Sequence, residues 1–326
     1  MKIKKIAATA KDKVELIEAE LPDVGTGASY IEGPAVSSVM SPGTELSGVQ
    51  GLYGNGYPMN LGYATVFKVE KCGGEVKNFK PGDFAFYLGN HASYHRAEAQ
   101  GCVKVPEGLD PAAAPFARLI GISMSTLNTT SARPPSKVLI TGLGIVGNLA
   151  AQLFQHCGYE VYAVEPNEIR RKFAENCGLK KLFPAIPAED PELKDKIQLA
   201  LDCSGHEKAV IDALKIVARK GEVVLLGVPW KRNTDIFAHE AFHAVFHKYA
   251  VLRSGWEWEI PRFPETFKGN SMAENFTAAL NWLKEENITV DGIYDVASPK
   301  EAGRVYESYL QGRAKYLTTV FNWKDE

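Results

Sequence analysis

Hydrophobic and polar positions along this chain fall into two textures. Through about residue 115, short apolar runs such as "SYIEGPAVSSVM" (29–40), "YATVFKVEK" (63–71), "DFAFYLG" (83–89) and "GCVKVPE" (101–107) are separated by turns such as "KPGD" and "PEGLDP". β-branched and aromatic residues bounded by Gly and Pro read as strands, and the spacing predicts a mostly antiparallel or barrel-like domain. From residue 137 the pattern changes to strand, helix, strand. "KVLIT" (137–141) predicts a buried strand, "GIVGNLAAQLFQHCG" (144–158) a helix closed by Gly158, and "EVYAV" (160–164) the next strand. A helix over 167–178, strand 198–205, helix 207–221 and strands 222–227 and 249–255 continue the alternation. Such repetition implies a parallel sheet covered by helices on both faces. Beyond residue 262, two amphipathic helices (273–287 and 299–312) precede a closing strand at 315–323.

A chain of 326 residues accommodates two such domains. The net charge of −2 gives no basic footprint, so nucleic acid and an acidic membrane surface are not expected partners. The N-terminal lysines are followed by no apolar stretch of signal-peptide or spanning length, and the five cysteines form no C-x-x-C pair. The expectation is a cytoplasmic protein with reduced thiols and a small-molecule substrate.

Candidate chemistry begins at "KVLITGLGIVGNLAAQLF", where Gly142, Gly144 and Gly147 have G-x-G-x-x-G spacing between a predicted strand and helix. Gly142 permits the tight turn, Gly144 lets a pyrophosphate approach the backbone, and Gly147 lets helix pack on strand. The helix start at Ile145 and Val146 then faces the phosphates with its unpaired N–H groups. Glu165, ending "EVYAV", stands where an acidic residue binds the adenine ribose, which favours NAD(H) over NADP(H); Arg170 and Arg171 nearby weigh the other way. Cys203-Ser204 and Gly227-Val228 end strands at the edge of the sheet where ligands of open α/β folds lie.

A β-rich domain, a dinucleotide domain and a return to the first resemble the medium-chain dehydrogenase/reductase superfamily of alcohol and polyol dehydrogenases. "FKPGDFAF", "VPEGLDPAAAPFA" and "LDCSG" carry the likeness over nearly the whole chain. The resemblance implies an α/β protein: a GroES-like β-barrel domain (1–122, completed by 263–326) with a Rossmann doubly wound parallel sheet (123–262). It also implies an active site in the cleft between them and a homodimer joined through the last strand of the sheet, here "YAVLRSGWEWE". At the superfamily's zinc-ligand positions this chain departs. Pro42 stands for the cysteine, Tyr63 and Ala64 for the histidine and its glutamate, and Ala117 or Arg118 for the third ligand; proline and alanine cannot ligate zinc. The expected member is therefore zinc-free, with "GTE … LGY" similar to the bacteriochlorophyllide dehydrogenase-like and sugar dehydrogenase-like branches.

Without a metal, side-chain donors must stabilise charge on the substrate oxygen. The resemblance gives Thr44 the hydroxyl-relay position. Tyr63 is either a phenol donor or an aromatic plug in the emptied metal site. His91 is either an acid/base group or a barrel-packing histidine, and on one strand it would lie ~13 Å from His95, too far to share a metal. Glu45 and Tyr53 are candidate substrate contacts, Glu45 being structural in the alternative. Arg118 either anchors an anionic or polyhydroxylated substrate or forms a junction salt bridge.

The run "HEAFHAVFH" (239–247) matches the H-E-x-x-H zinc-peptidase pattern. It falls where the alternation demands a crossover helix, with Phe242, Val245, Phe246 and Tyr249 at helical spacing as its expected core face. The expected activity is thus zinc-independent, NAD(H)-dependent interconversion of an alcohol and a carbonyl on a polar molecule such as a polyol or sugar derivative. Competing readings are an NADP(H)-dependent quinone or enone reductase, a non-catalytic dinucleotide-binding protein, and a metallopeptidase.

Overall fold

The computed structural model describes residues 1–22, 27–54 and 56–324. The chain divides into two compact units, residues 1–118 with 273–286 and 290–326, and residues 119–272 with 287–289. The first unit opens with β1 (Lys2–Ala10), β2 (Lys13–Glu20), β3 (Tyr30–Val39), α1 (Pro42–Val49), β4 (Met59–Asn60), β5 (Thr65–Lys68), β6 (Lys71–Cys72), β7 (Phe84–Tyr87), β8 (Tyr94–Glu98) and β9 (Val103–Lys104). Through α2 (Ala117–Thr129) the chain enters the second unit. This holds β10 (Lys137–Thr141), α3 (Ile145–His156), β11 (Glu160–Val164), α4 (Glu168–Asn176), β12 (Leu182–Phe183), β13 (Ile197–Asp202), α5 (Glu207–Ile216), β14 (Val217–Leu225), α6 (Ala238–Lys248) and β15 (Val251–Ser254). It returns to the first unit with α7 (Met272–Lys284), β16 (Tyr294–Ala297), α8 (Ala302–Leu310) and β17 (Thr318–Asn322).

Strand β3 organises the first unit. It pairs with β17, β5, β6 and β8, and a register shift between Ala35 and Ser37 lets it serve two sets of partners. A second sheet, β2-β1-β4, completes the barrel-like domain. One core gathers Ile6, Met40, Val49, Tyr306, Phe321 and Trp323, and so joins the C-terminal elements to the N-terminal ones. Another surrounds Ile31, Phe67 and Ala85.

The second unit is a six-stranded parallel sheet in the order β12-β11-β10-β13-β14-β15, the doubly wound Rossmann arrangement. Alternate residues of β10 face opposite cores. Val138 and Ile140 pack with Ala150, Ala151 and Phe154 of α3, whereas Leu139 packs with Ala213 and Leu214 of α5 and Ala244 of α6. Helices thus cover both faces, and the buried strands read as continuous apolar runs for that reason.

Three local expectations change. Helix α5 stops at Ile216, and "VARK" already belongs to β14, where β-branched Val217 pairs with Ile197 and Lys220 takes a left-handed turn at φ 64°. His91 precedes β8 rather than sharing a strand with His95, so the two imidazoles enter different surroundings. Helix α6 buries Ala244 and packs Ala241 and Val245 inward, while Phe242, Phe246 and Tyr249 are 70%, 77% and 69% exposed. Helical spacing defines two opposite faces, and the small residues, not the aromatic ones, fit against α5 and β14.

Candidate active site

In the second unit, β10 runs into Gly142, which adopts φ 82° and whose N–H donates to the Val164 carbonyl at 2.8 Å. A Cβ on Gly142 would press on Ser204 at 2.9 Å; one on Gly147 would meet the Gly142 carbonyl oxygen at 1.8 Å. At Gly144, the N-cap of α3, a Cβ would meet nothing within 4 Å. Two glycines are therefore demanded by the protein's own packing, and the third borders open space at a helix start with no acidic residue in its first turn. Ile145, Val146 and Gly147 supply N–H groups of that first turn, an arrangement suited to phosphate oxygens.

Glu165 is buried, with one carboxylate oxygen accepting from Leu143 N–H and the other from Asn167 N–H, each at 2.9 Å. Arg170, on the exposed start of α4, reaches to 3.7 Å of it. Arg171 turns away to donate to the Glu165 and Pro166 carbonyls. The carboxylate is thereby fixed to the glycine-rich turn with lone pairs to spare for ribose hydroxyls.

Asp202 escaped the sequence reading. Buried at the end of β13, it accepts from Thr141 Oγ1 at 2.7 Å, from both N–H and hydroxyl of Ser204, and from Gly205 N–H at 3.0 Å. Its own carbonyl receives Gly227 N–H at 2.6 Å. It thus shapes both strand-end turns, Cys203-Ser204-Gly205 and Gly227-Val228, of which Ser204 and Val228 are exposed. The signal was present in "LDCSG", an aspartate two residues before a serine at a turn. Burial pushes the Cys203 thiol well above its usual range, so it stays a neutral thiol.

The first unit gathers the remaining polar candidates. Helix α1 begins with Pro42 at its start, which places Thr44 and Glu45 in its first turn. Thr44 is half-buried and its carbonyl accepts the Tyr53 hydroxyl at 2.9 Å. The Ser41 and Thr44 side chains neighbour the Tyr63 phenol, and the buried Arg118 guanidinium lies over the Tyr63 ring, 4.8 Å from its centroid. Burial raises the Tyr63 phenol, and Arg118, Ser41 and Thr44 pull it back. Burial likewise raises Tyr53.

Glu45 and His91 occupy different places from those expected of substrate contacts. Glu45 is 3% exposed, and its carboxylate accepts from Ser41 N–H at 2.6 Å, Gly62 N–H at 3.1 Å and the Tyr306 hydroxyl. His91 has no exposure; Nε2 lies 3.1 Å from Glu45 and Nδ1 2.7 Å from Ser38 Oγ. With both ring nitrogens bound inside the protein, His91 offers none to a substrate.

Zinc does not fit this donor set. Pro42, Tyr63, Ala64 and Ala117 present no thiol or imidazole, and the neighbouring His91 is bound to Glu45 and Ser38. On α6, His239 and His243 have ring centroids 6.0 Å apart and His243 and His247 4.2 Å apart, but Glu240 is ion-paired to Lys215 at 3.1 Å. Among the described residues no three His, Cys, Asp or Glu side chains converge as a metal site.

Residues 146–267 match the sequence profile of a family described as zinc-binding dehydrogenase. An alcohol dehydrogenase of Geobacillus stearothermophilus is 29% identical over 154 residues, covering 45% of this chain and 44% of that one. An L-threonine 3-dehydrogenase of Pyrococcus abyssi is 31% identical over 181 residues, covering 52% and 51%. The chain thus matches about half the length of these curated relatives. Galactitol-1-phosphate dehydrogenase of Escherichia coli shares the fold, with a TM-score of 0.81 over 98% of this chain and 99% of that one at 15% identity.

Proposed function

We propose that this chain, whose residues 146–267 match the zinc-binding dehydrogenase profile, is a member of the medium-chain dehydrogenase/reductase superfamily and an NAD(H)-dependent, zinc-independent oxidoreductase interconverting an alcohol and a carbonyl on a polar small molecule. Bound dinucleotide supplies or accepts the hydride. The open backbone at Gly144 and the first turn of α3 hold its pyrophosphate, and Glu165 holds the adenosine ribose hydroxyls. The Glu165 carboxylate disfavours a 2′-phosphate, which supports NAD(H); the half-exposed Arg170 guanidinium lies 3.7 Å from that carboxylate.

The observation that carries the chemistry is the setting of Tyr63, a phenol beside the Ser41 and Thr44 side chains and beneath a buried guanidinium. In the reducing direction, the Tyr63 hydroxyl donates its proton to the substrate oxygen as the carbon gains hydride. The positive charge of Arg118 offsets the cost of a buried phenolate, and the hydroxyls of Thr44 and Ser41 relay a proton from solvent back to it. The same guanidinium is the anchor for an anionic or polyhydroxylated substrate.

The test is a screen of polyols, sugars, hydroxy acids and their ketones by nicotinamide absorbance. Turnover is expected with NAD(H), and Tyr63→Phe is expected to lower kcat by about 10²–10⁴-fold with cofactor affinity unchanged. No turnover on any of these classes, with NADH bound, would favour a dinucleotide-binding role instead. We further propose a homodimer in a reducing, cytoplasmic setting. All five cysteines are free thiols. Edge strand β15 exposes Val251 and Leu252, and Phe242, Phe246, Trp256 and Trp258 are also exposed in the same unit. An unpaired edge among exposed aromatics fits antiparallel pairing with a second copy. Light scattering should give a dimer that Leu252→Lys dissociates.

A further inference from the structure

We infer that the buried carboxylate of Glu45 is the hub of a positioning network, with His91 and Tyr306 as its outer members, that fixes the two sides of the Tyr63 phenol. The inference rests on the proposed role of Tyr63.

Five groups from four remote stretches of chain meet here. Ser41 N–H binds one Glu45 oxygen, and Gly62 N–H, His91 Nε2 and the Tyr306 hydroxyl converge on the other. Behind His91, Ser38 Oγ touches Nδ1 at 2.7 Å and accepts the indole N–H of Trp323 at 2.8 Å. A carboxylate oxygen accepts, so the imidazole directs an Nε2–H at Glu45, while Ser38 Oγ, which takes the indole N–H, is the neighbour of Nδ1. The imidazole ring lies against Gly62, where a Cβ would fall 2.6 Å from it and where φ is 84°. It packs edge-on to Phe321, its centroid 5.1 Å away, and Phe321 is in turn stacked with Tyr306.

What the hub holds is informative. The Ser41 side chain neighbours the Tyr63 phenol, and Gly62 is the residue before Tyr63. One carboxylate therefore grips the backbone at both ends of the phenol's surroundings, and Thr44 is its immediate neighbour in α1. A negative charge buried to this degree is stable only while its donors are all present. Loss of the Tyr306 hydroxyl, 261 residues away along the chain, removes one donor without touching Ser41, Thr44 or Tyr63. The carboxylate then turns toward its remaining donors, and the Gly62 N–H, one residue before Tyr63, loses its fixed partner.

The experiment compares Tyr306→Phe with Tyr309→Phe, a hydroxyl on the same helix that bonds to Thr319 outside the network. A second pair is His91→Gln, which keeps an N–H for Glu45, and His91→Ala. Each protein carries ¹³C label at tyrosine Cζ, so that the Tyr63 resonance and its ionisation are followed directly. Tyr306→Phe is expected to shift the Tyr63 resonance and its titration midpoint, and to lower kcat by about ten- to a hundredfold with KM and NADH affinity within about twofold. Tyr309→Phe is expected to do neither, and His91→Gln to restore most of what His91→Ala loses. An unmoved Tyr63 resonance in Tyr306→Phe overturns the inference, whatever happens to stability. If the wild-type protein turns over no alcohol or carbonyl, the proposed function fails on that result alone, while the Tyr63 resonance still decides whether the network positions it.

Discussion

Alanine at Gly147 and alanine at Gly144 separate a glycine needed for packing from one needed for a ligand. At Gly147 the added methyl would sit 1.8 Å from the Gly142 carbonyl oxygen and 3.1 Å from Cys203 Cβ. Ordinary contact begins at 3.4 Å, so helix α3 must withdraw from the turn by about 1.5 Å. Backbone cannot yield as a side-chain tip does, and overpacking of this kind costs about 1–3 kcal/mol. For a unit of this size that corresponds to a fall in melting temperature of roughly 3–10 °C. The helix start moves with the helix, and a shift of about 1 Å in a positioning group costs on the order of a hundredfold. NADH affinity should therefore drop together with stability. At Gly144 the methyl meets no protein atom within 4 Å, and φ of −62° suits any residue. Alanine there should cost under about 1 kcal/mol as a poorer N-cap, yet it fills the space assigned to the pyrophosphate. NADH binding, followed by quenching or energy transfer in fluorescence, should fall by at least about tenfold, or 1.4 kcal/mol, with the melting curve nearly unchanged. Wild-type NADH affinity in Gly144→Ala would refute the placement of the phosphates, and an unshifted melt in Gly147→Ala would refute the packing argument.

Glu165→Gln keeps the size of the side chain but removes the carboxylate proposed to hold the adenosine ribose. NAD(H) affinity should fall by about tenfold and the preference over NADP(H) should narrow; an unchanged ratio of the two kcat/KM values would count against Glu165 as the selector. His95 sits in the core beside Phe67 and Tyr87, and burial holds its pKa at about 3 against the ordinary 6.5. The unfolded chain takes up a proton below pH 6.5 that the folded protein refuses until about pH 3. Stability from this group is thus whole above pH 6.5 and drains away on acidification, by on the order of 5 kcal/mol across the window. In His95→Asn, urea midpoints between pH 6.5 and 4 should decline less steeply than in the wild type, and equal slopes would exclude His95 as the source. Dialysis against a chelator should leave turnover intact, since Pro42, Tyr63 and Ala117 offer zinc no ligand; activity lost on chelation and restored by zinc would overturn that reading.

What could be read along the sequence was what depends on neighbours in the chain. The glycine-rich turn is of this kind, because strand, turn and helix start lie within a dozen residues and the constraint on each glycine is local. Asp202 was legible too, had the aspartate before "CSG" been weighed as a turn former. Helix α6 marks the limit. Its period is plain, but a period leaves open which of two faces turns inward, and exposed aromatics at Phe242, Phe246 and Tyr249 defeat the assumption that large apolar residues choose. The Glu45 site goes further beyond reach. Its partners lie 4, 17, 46 and 261 residues away, and only the pairing of β17 with β3 and the packing of α8 against α1 bring Tyr306 to it.

That geometry also revises what the absent zinc ligands mean. Read alone, Pro42 and Tyr63 are deletions from a metal site. In the folded unit, the proline starts the helix that presents Thr44 and Glu45, and the tyrosine is held between Ser41, Thr44 and Arg118. A vacated metal site filled only for packing would favour an apolar plug, since burying a phenol, a guanidinium and a carboxylate costs free energy that inert side chains avoid. Retaining the phenol under a guanidinium and beside a carboxylate held by four donors fits the proposed exchange of protons better than a plug does. The decisive contrast is therefore Tyr63→Phe against Tyr63→Leu. Both remove the hydroxyl, but only leucine removes the ring beneath Arg118. If the hydroxyl is what matters, phenylalanine loses activity as fully as leucine while the protein stays as stable as the wild type; activity preserved in Tyr63→Phe would return Tyr63 to the role of a plug.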